Sequence, residues 1–243
     1  MLSKAQIKYI QSLQHKKYRQ KSGQFIAEGD KIVPELLSEG VPVQEVYATE
    51  AWISTHEQLL RTVRVTPVDA IILKQLSALT TPNQAIALLN IPAPQDIPVY
   101  RGVVSLALET IQDPGNLGTI IRIADWFGIK QVVCSPDCVD AYNPKTIQAT
   151  MGSIARVRIV EREIVPLLEE AGVASYAATL HGTNIVEFSK IAEGIILIGN
   201  ESRGLSDSVI AACTHRITIP RLGGAESLNA GIAAGIICGR LLI

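Results

Sequence analysis

The sequence predicts an α/β fold in two domains, and three observations support this. Segments with apolar residues at helical spacing alternate along the 243 residues with short runs rich in β-branched residues. In the second half these runs are continuously apolar, which is typical of parallel strands buried on both faces. A proline-rich stretch separates the halves. We therefore expect a small α/β domain, followed by a mostly parallel sheet between helices.

The proline-rich stretch predicts where the two domains meet. Three prolines between Asn90 and Gly102 remove backbone donors and favour extended conformations in the residues before them. We expect an N-terminal domain at residues 1–95, a linker at 96–102 and a C-terminal domain at 103–243.

The elements of each domain follow from local pattern. In chain order, the N-terminal segments are helix IKYIQSLQ, strand QFIAEG, helix DKIVPELLSEG, strand VQEVYAT, helix AWISTHEQLL, strand RVTP, helix VDAIILKQLS and strand AIALLNI. The C-terminal domain has six β-rich runs separated by helical segments: VVSLALE, QVVCS, ARVRIV, ASYAAT, GIILIGN and HRITIP.

The last predicted helix carries glycines at every fourth position, Gly231, Gly235 and Gly239. Three helical glycines cost about 2 to 3 kcal/mol relative to alanine, so a compensating contact is expected. The spacing aligns them on one face, where another backbone can approach closely. The partner is either an element of the same fold or a second subunit.

Composition indicates a compact cytoplasmic protein. Hydrophobic residues make up 47% and charged residues 19% of the chain, which argues against disorder. The first residues lack the pattern of a signal peptide, and residues 228–243 are too short and polar to span a bilayer. Cys134 and Cys138 have no companion pair at zinc-ligand spacing, so we interpret the cysteines as structural and expect no metal.

The N-terminal segment is basic, although the formal net charge is −1. Residues 1–31 contain seven lysines and arginines and two acidic residues. Cations at this density can contact RNA phosphates, and aromatic residues among them can stack on unpaired bases. The alternative is a solvated helix face. The candidate RNA-binding cations are Lys16, Lys17, Arg19 and Lys21, and the candidate stacking residues are Tyr9, Tyr18 and Phe25.

Three polar, glycine-containing motifs follow predicted strands. They are DPGNLGTIIRIADWFGI from Asp113, LIGNESRGLS from Leu197 and IPRLGGAESLNAGIAAG from Ile219. The carboxyl ends of parallel strands are where α/β proteins hold small ligands. Taken singly, Asn116 has the alternative role of a helix N-cap and Arg122 that of a surface ion-pair partner.

Several familiar sites are excluded by the same residues. Leu205 follows Gly204 where a P-loop requires lysine, and the dinucleotide fingerprint G-x-G-x-x-G is absent from the sequence. Ser227 has neither a nucleophile elbow nor an obvious histidine partner, so capping or ligand binding suits it better than catalysis.

The three motifs together resemble the SpoU/TrmH branch of the SPOUT RNA methyltransferases. The matching patterns are NLGTIIR from Asn116 to Arg122, GNESRGL from Gly199 to Leu205, and IP followed by SLN from Ile219 to Asn229. The opening residues are similar to the substrate-binding domain that precedes the catalytic domain in many members. The resemblance implies a C-terminal SPOUT domain with a deep trefoil knot, after a smaller, ribosomal-protein-like α/β RNA-binding domain.

The resemblance also implies an activity: methyl transfer from S-adenosyl-L-methionine to a ribose 2′-hydroxyl of structured RNA, with rRNA favoured over tRNA. Arg122 would orient the hydroxyl or a phosphate and stabilise negative charge, since a guanidinium is a poor base. Asn116 and Glu201 would shape that site, and a base role for Glu201 stays open. The implied cofactor contacts are Gly199, Ile219 and Leu228, with Thr179, Leu180, Gly182, Asn200, Ser227 and Asn229 nearby.

Members of the family act as homodimers, so a second copy of the chain is an expected partner, with the arginine acting in its own subunit or across the interface. Two alternatives remain open at this point. One is a non-catalytic RNA-binding or ribosome-assembly protein on the same fold, and the other is a methyltransferase that modifies a base. The sequence does not identify the RNA or the nucleotide.

Overall fold

The computed structural model describes residues 2–93 and 99–243, and the chain divides into two compact units. The first unit contains residues 1–93 together with 140–155, and the second contains 94–139 and 156–243. Part of the predicted linker falls on residues 94–98, which lie outside the described residues. The domain boundaries at 95 and 103 stay a prediction.

The first unit is a four-stranded sheet with helices. Its elements are α1 (Lys4–Ser12), α2 (Lys16–Ser22), β1 (Gln24–Glu28), α3 (Ile32–Ser38), β2 (Val43–Ala48), α4 (Glu50–Thr55), β3 (Val65–Pro67), α5 (Ala70–Leu76) and β4 (Ala85–Asn90). The strand order is β1-β4-β2-β3, with β4 antiparallel to both neighbours and β2 parallel to β3. Each predicted helix and strand of this domain is present, and side chains cap the starts of α1, α4 and α5, as Ser3 does on α1.

One segment of the first unit comes from far along the sequence. Residues 140–155 include α7 (Pro144–Thr150) and a 3-10 turn (Ser153–Ala155). Ile147 is buried in the same hydrophobic core as Phe25 and Trp52. Local sequence pattern gives no sign of this placement, because it depends on which surface α7 meets after the chain folds.

The second unit is a six-stranded parallel sheet, as predicted. Its elements are β5 (Val104–Leu108), α6 (Pro114–Trp126), β6 (Gln131–Cys134), β7 (Arg158–Glu161), α8 (Ile164–Ala171), β8 (Ser175–Asn184), a 3-10 turn (Ile185–Glu187), β9 (Gly194–Ile198), α9 (Asp207–Ala212), β10 (His215–Thr218) and α10 (Ala230–Leu242). The strand order is β10-β8-β9-β5-β6-β7, and every pair is parallel. All residues of β6 and β9 are buried, so both faces of these strands are covered.

The glycine face of α10 packs against α6 within the same unit. A Cβ on Gly231 would lie 3.0 Å from Thr119 Cγ2, one on Gly235 would lie 3.6 Å from Ile123, and one on Gly239 would lie 3.7 Å from Phe127. The compensating contact is therefore inside the fold, and it is tight only at the first glycine.

No helix within residues 2–93 or 99–243 is both long and apolar enough to cross a membrane. The α/β class and the parallel sheet are confirmed, whereas the trefoil knot stays a prediction. Cys134, Cys138, Cys213 and Cys238 are free thiols, and all except Cys213 are buried.

Candidate active site

The three motifs lie at the carboxyl ends of neighbouring strands. The first follows β5, the second follows β9 and the third follows β10. These strands, with β8 among them, are adjacent and parallel in the order β10-β8-β9-β5, so their carboxyl ends open at one edge of the sheet. From β5 the chain first adds β6 and β7 on one side and then adds the remaining strands on the other side, where β9 lies beside β5. α/β sheets form a crevice at such a change of direction.

The start of α6 leaves the Asn116 side chain available for contacts outside its own helix. Asp113 is the N-cap, and its carboxylate accepts a hydrogen bond from the Asn116 backbone N–H at 2.8 Å. Pro114 occupies the first turn, where its missing N–H costs nothing. The alternative role of Asn116 as the cap is therefore wrong.

Asn116 joins the three motifs in one hydrogen-bonded chain. Its Nδ2 donates to the carboxylate of Glu201, and its Oδ1 accepts from Nδ2 of Asn229 at 2.7 Å. Asn229 in turn caps α10, since its Oδ1 accepts from the N–H groups of Gly231 and Ile232. An amide nitrogen only donates and an amide oxygen only accepts hydrogen bonds. These partners therefore fix the orientation of the Asn116 and Asn229 side-chain amides. Asn116 of the first motif thus contacts one residue from each of the other two motifs.

Asn200 holds the turn that carries Glu201. Its backbone pairs with Gly204 in both directions, at 3.1 and 2.8 Å. Its Oδ1 accepts from the backbone N–H groups of Ser202 and Arg203, and its Nδ2 donates to the Thr110 carbonyl at 3.0 Å. The Asn200 side chain, which is predicted to contact the cofactor, is therefore hydrogen-bonded to other residues of the protein.

Two predicted cofactor glycines lie against the chain's own backbone. A Cβ on Gly199 would lie 2.3 Å from the Gly204 carbonyl carbon, and one on Gly182 would lie 2.6 Å from the Arg216 carbonyl oxygen. Both distances are far below van der Waals contact. Close chain packing at the edge of the sheet thus explains these glycines without a ligand.

Thr179, Leu180 and Gly182 lie in an interruption of β8. Ala177 pairs with Arg216 of β10, and the next pair is Thr183 with Ile217, so residues 178–182 leave the ladder. The Thr179 hydroxyl donates to the His181 carbonyl at 3.0 Å, and the Leu180 side chain is exposed. The predicted strand was assigned correctly, but its interruption was not foreseen.

Ile219, Ser227 and Leu228 belong to the loop between β10 and α10. Ile219 is partly buried, and residues 220–229 are exposed throughout. Within the part of the chain that the structure describes, the backbone amides of residues 221–228 donate no hydrogen bond. Apolar side chains beside free backbone donors fit a ligand that has both an aromatic base and polar groups, as S-adenosylmethionine does.

Arg122 is exposed on α6, on the side away from the buried Leu117, Ile121 and Ala124. No described residue forms a hydrogen bond or an ion pair with its guanidinium, so the alternative of a surface ion pair is not observed. It lies about 9 Å along the helix axis from Asn116. The structure shows no hydrogen bond from Arg122 to Asn116, Glu201 or Asn229.

The four candidate RNA-binding cations differ in how far they are buried. Lys16, Lys17 and Lys21 are exposed on α2, and so is Tyr18. Arg19 is 1% exposed, donates to Asp140 Oδ2 at 2.5 Å and to the Leu13 carbonyl at 2.8 Å, and therefore cannot reach RNA. The predicted RNA-binding role of Arg19 is wrong because its charge is used inside the unit.

The aromatic set needs the same correction at one position. Phe25 packs in the core of the first unit against Tyr142, with ring centroids 4.9 Å apart, and is not available for stacking on bases. Tyr9 and Tyr18 keep exposed rings.

Sequence reasoning missed a group of side chains beside the site, formed by Thr110, Ser135 and Asp137. Thr110 has φ of 56°, a left-handed conformation that is rare for a β-branched residue. Its N–H donates to Ser135 Oγ at 2.9 Å and its hydroxyl donates to Asp137 Oδ2 at 2.5 Å. Ser135 and Asp137 belong to the run SPDC after β6, and no sequence pattern relates this run to Thr110.

Family comparisons agree with the arrangement of the motifs. Residues 103–239 match the SpoU rRNA Methylase family, and residues 4–87 match an MRM3-like substrate binding domain. The 23S rRNA (guanosine(2553)-2′-O)-methyltransferase RlmP of Bacillus subtilis is 30% identical over 240 residues, covering 95% of this chain and 93% of the relative. A 23S rRNA (uridine(2479)-2′-O)-methyltransferase of Streptomyces viridochromogenes is 29% identical, covering 90% and 82%.

Solved structures show the same fold over the whole length. A putative RNA methyltransferase of the TrmH family from Porphyromonas gingivalis has a TM-score of 0.87 at 35% identity, covering 100% of this chain and 98% of the other. The AdoMet-bound rRNA methyltransferase of Sinorhizobium meliloti has a TM-score of 0.87 at 28% identity, covering 99% and 95%. The predicted family is confirmed by these matches, and the chain belongs to the SpoU rRNA methylase family.

Proposed function

We propose that this protein transfers the methyl group of S-adenosylmethionine to a ribose 2′-hydroxyl of rRNA. The observation that carries the proposal is the hydrogen-bonded chain of Glu201, Asn116 and Asn229, which brings the three family motifs together at one edge of the sheet. The rRNA 2′-O-methyltransferase names of the Bacillus and Streptomyces relatives favour ribose over base and rRNA over tRNA.

The cofactor is S-adenosylmethionine, whose sulfonium supplies an activated methyl group. Gly199, Ile219 and Leu228 are the principal contacts in this proposal. Support comes from the free amides of residues 221–228 and from the exposed Leu180 and Leu228 side chains. The further contacts are Thr179, Leu180, Gly182, Asn200, Ser227 and Asn229, of which Asn200 and Asn229 contribute chiefly by holding the loops.

Arg122 acts on the RNA. Its guanidinium stays protonated, so it orients the 2′-hydroxyl or an adjacent phosphate and stabilises the negative charge that develops on the oxygen. Its exposed position, with no hydrogen-bond or ion-pair partner among residues 2–93 and 99–243, supports this role. Asn116 keeps the Glu201 carboxylate in place, and Glu201 is the candidate acceptor for the hydroxyl proton.

The N-terminal domain, residues 1–95, binds the RNA. Lys16, Lys17 and Lys21 contact phosphates, and Tyr9 and Tyr18 offer exposed rings to unpaired bases. The MRM3-like substrate binding domain matched at residues 4–87 supports this assignment.

The active form is a homodimer located in the cytoplasm. Trp126 on α6 is 84% exposed, and Ile232 and Ile236 are exposed on α10, so these two packed helices present apolar surface that a second copy would cover. The four free thiols are consistent with a reducing compartment. We also propose that the C-terminal loops form the trefoil knot of the family.

Two measurements on the purified protein test the function. Titration calorimetry is expected to detect binding of S-adenosylmethionine below millimolar concentration. RNA modified with labelled cofactor and then digested to nucleosides is expected to yield a 2′-O-methylnucleoside. Absence of cofactor binding would instead favour a non-catalytic RNA-binding protein, and a base-methylated nucleoside would indicate a base methyltransferase.

A further inference from the structure

The link between β5 and α6 contains a backbone conformation that requires external support. Thr110, two residues beyond the end of β5, has φ of 56°. A β-branched side chain is disfavoured there, and such a residue persists where its surroundings determine its conformation. Glycine would adopt the same φ without a steric penalty.

Two side chains from the loop after β6 provide that support. Ser135 Oγ accepts from the Thr110 N–H at 2.9 Å, and Asp137 Oδ2 accepts from the Thr110 hydroxyl at 2.5 Å. Ser135 also donates its hydroxyl to the other oxygen of Asp137. Partial burial raises the pKa of Asp137, but the hydrogen bonds from Ser135 and Thr110 outweigh it and leave the pKa below its ordinary value. The carboxylate is therefore an ionised acceptor at neutral pH.

The next residue is held from the same loop. The Ile111 N–H donates to Cys138 Sγ at 3.3 Å, and the Val139 N–H donates to the Ile111 carbonyl at 2.8 Å. The backbone is thus fixed on both sides of the Thr110 carbonyl, whose direction follows from the left-handed conformation.

The Thr110 carbonyl connects this support to the candidate active site. It accepts from Nδ2 of Asn200 at 3.0 Å, and Asn200 organises the turn up to Gly204. That turn carries Glu201, which accepts from Asn116. If Thr110 relaxed to a negative φ, its carbonyl would turn away and Asn200 would lose this acceptor.

We propose that Asp137 and Ser135 are positioning residues for methyl transfer, which hold Thr110 in its left-handed conformation so that its carbonyl anchors the turn bearing Glu201. The proposal rests on the proposed function for its effect on rate, and neither residue touches the reacting atoms. Both belong to the SPDC run, outside the three family motifs.

A double-mutant cycle tests the proposal. Asp137→Ala is expected to lower the methylation rate at saturating S-adenosylmethionine about tenfold. The same substitution is expected to cost less than twofold in a Thr110→Gly background, because glycine holds the conformation without the carboxylate. Glu163→Ala is the matched control, since Glu163 lines the same cavity of about 260 Å³ as Asp137 but has no hydrogen bond with Thr110. Its rate is expected to equal that of the wild type.

Rescue by glycine separates positioning from a general structural role, because a merely destabilised protein would lose activity equally in both backgrounds. Equal losses in the two backgrounds, or no loss in either, would overturn the proposal. Melting temperatures of the four proteins of the cycle and of Glu163→Ala, measured with bound cofactor, check that all five are folded at the assay temperature.

Hydrogen exchange gives a readout that does not depend on catalysis. The Gly204 N–H donates to the Asn200 carbonyl at 2.8 Å, so its exchange reports the order of the turn. Asp137→Ala is expected to speed this exchange at least fivefold with Thr110 and to leave it unchanged with glycine at that position. If the wild type methylates no RNA, the proposed function fails, and the exchange result alone decides whether Asp137 holds the turn. Unchanged exchange with Thr110 present would refute that.

Discussion

Arg19 and Lys17 lie two residues apart on α2, and the turn of the helix gives them different surroundings. Lys17 faces solvent, whereas the Arg19 guanidinium is enclosed and bonded to Asp140 and to the Leu13 carbonyl. The partner carboxylate is 121 residues away in the sequence. A count of cations could predict a basic segment but could not tell which cation is internal.

We expect Arg19→Ala to lower the free energy of unfolding by about 3 kcal/mol, because it leaves the Asp140 carboxylate in a largely buried site without its charge partner. Lys17→Ala is the matched control and should change stability by less than about 0.5 kcal/mol. Urea denaturation followed by circular dichroism measures both. Similar small losses for the two variants would show that the Arg19–Asp140 pair contributes little.

Asn116, Glu201 and Asn229 show which part of the site could be predicted. Each was recognised within its own motif, since the order and spacing of the motifs are features of the sequence. Their hydrogen bonds span 85 and 113 residues and depend on how β5, β9 and α10 are arranged, which spacing does not reveal. Thr110 and Asp137 were missed for the same reason, because backbone strain and its support arise only in the folded chain.

Among the three glycines of helix α10, one is required by the packing against α6 and the other two are not. All three face α6, but only a Cβ on Gly231 would meet its neighbour, Thr119, at less than ordinary contact distance. The regular spacing suggested that all three were equivalent. Their different distances follow from the approach of α6 to α10, which is closest near the start of α10.

Alanine substitutions in α10 should therefore have opposite effects. Gly235→Ala is expected to raise the free energy of unfolding by about 0.5 to 1 kcal/mol, because alanine favours the helix and the new Cβ makes an ordinary contact with Ile123. Gly231→Ala should lower it by about 1 kcal/mol or more, since Thr119 must move. Thermal unfolding of the two variants provides the measurement. Destabilisation of the same size at both positions would contradict this account of the packing.

The strands could be predicted because a strand that is buried on both faces has a continuous apolar run in its sequence. The interruption of β8 at residues 178–182 could not, because it is defined by the register with β10. Only the family resemblance points to Thr179, Leu180 and Gly182, and their shared position outside the ladder follows from the pairing of β8 with β10.

At the scale of the whole molecule, the chain passes between the two units at residues 93/94, 139/140 and 155/156. A linear division of the sequence assumes one crossing, which is why the proline-rich stretch could suggest a boundary but could not assign α7. Residues 140–155 lie within the range that matches the SpoU rRNA Methylase family, yet they pack with the first unit. The first unit thus includes a segment from between β6 and β7.

In the proposed reaction, the edge formed by β5, β9 and β10 separates two tasks: the loops after β9 and β10 hold the cofactor, and Arg122 acts on the RNA. Arg122→Ala tests this division most directly, because the Arg122 guanidinium forms no hydrogen bond or ion pair with a described residue and its loss should not disturb the loops. Arg101→Ala, at an exposed arginine just before β5, is the matched control.

The measurement pairs titration calorimetry of S-adenosylmethionine with quantification of 2′-O-methylnucleosides after RNA digestion. For Arg122→Ala we predict a cofactor dissociation constant within about threefold of wild type and a methylation rate at least 100-fold lower, equivalent to about 2.7 kcal/mol of lost transition-state stabilisation. Arg101→Ala should match the wild type in both. Parallel loss of cofactor binding and methylation, or full methylation without Arg122, would contradict the account.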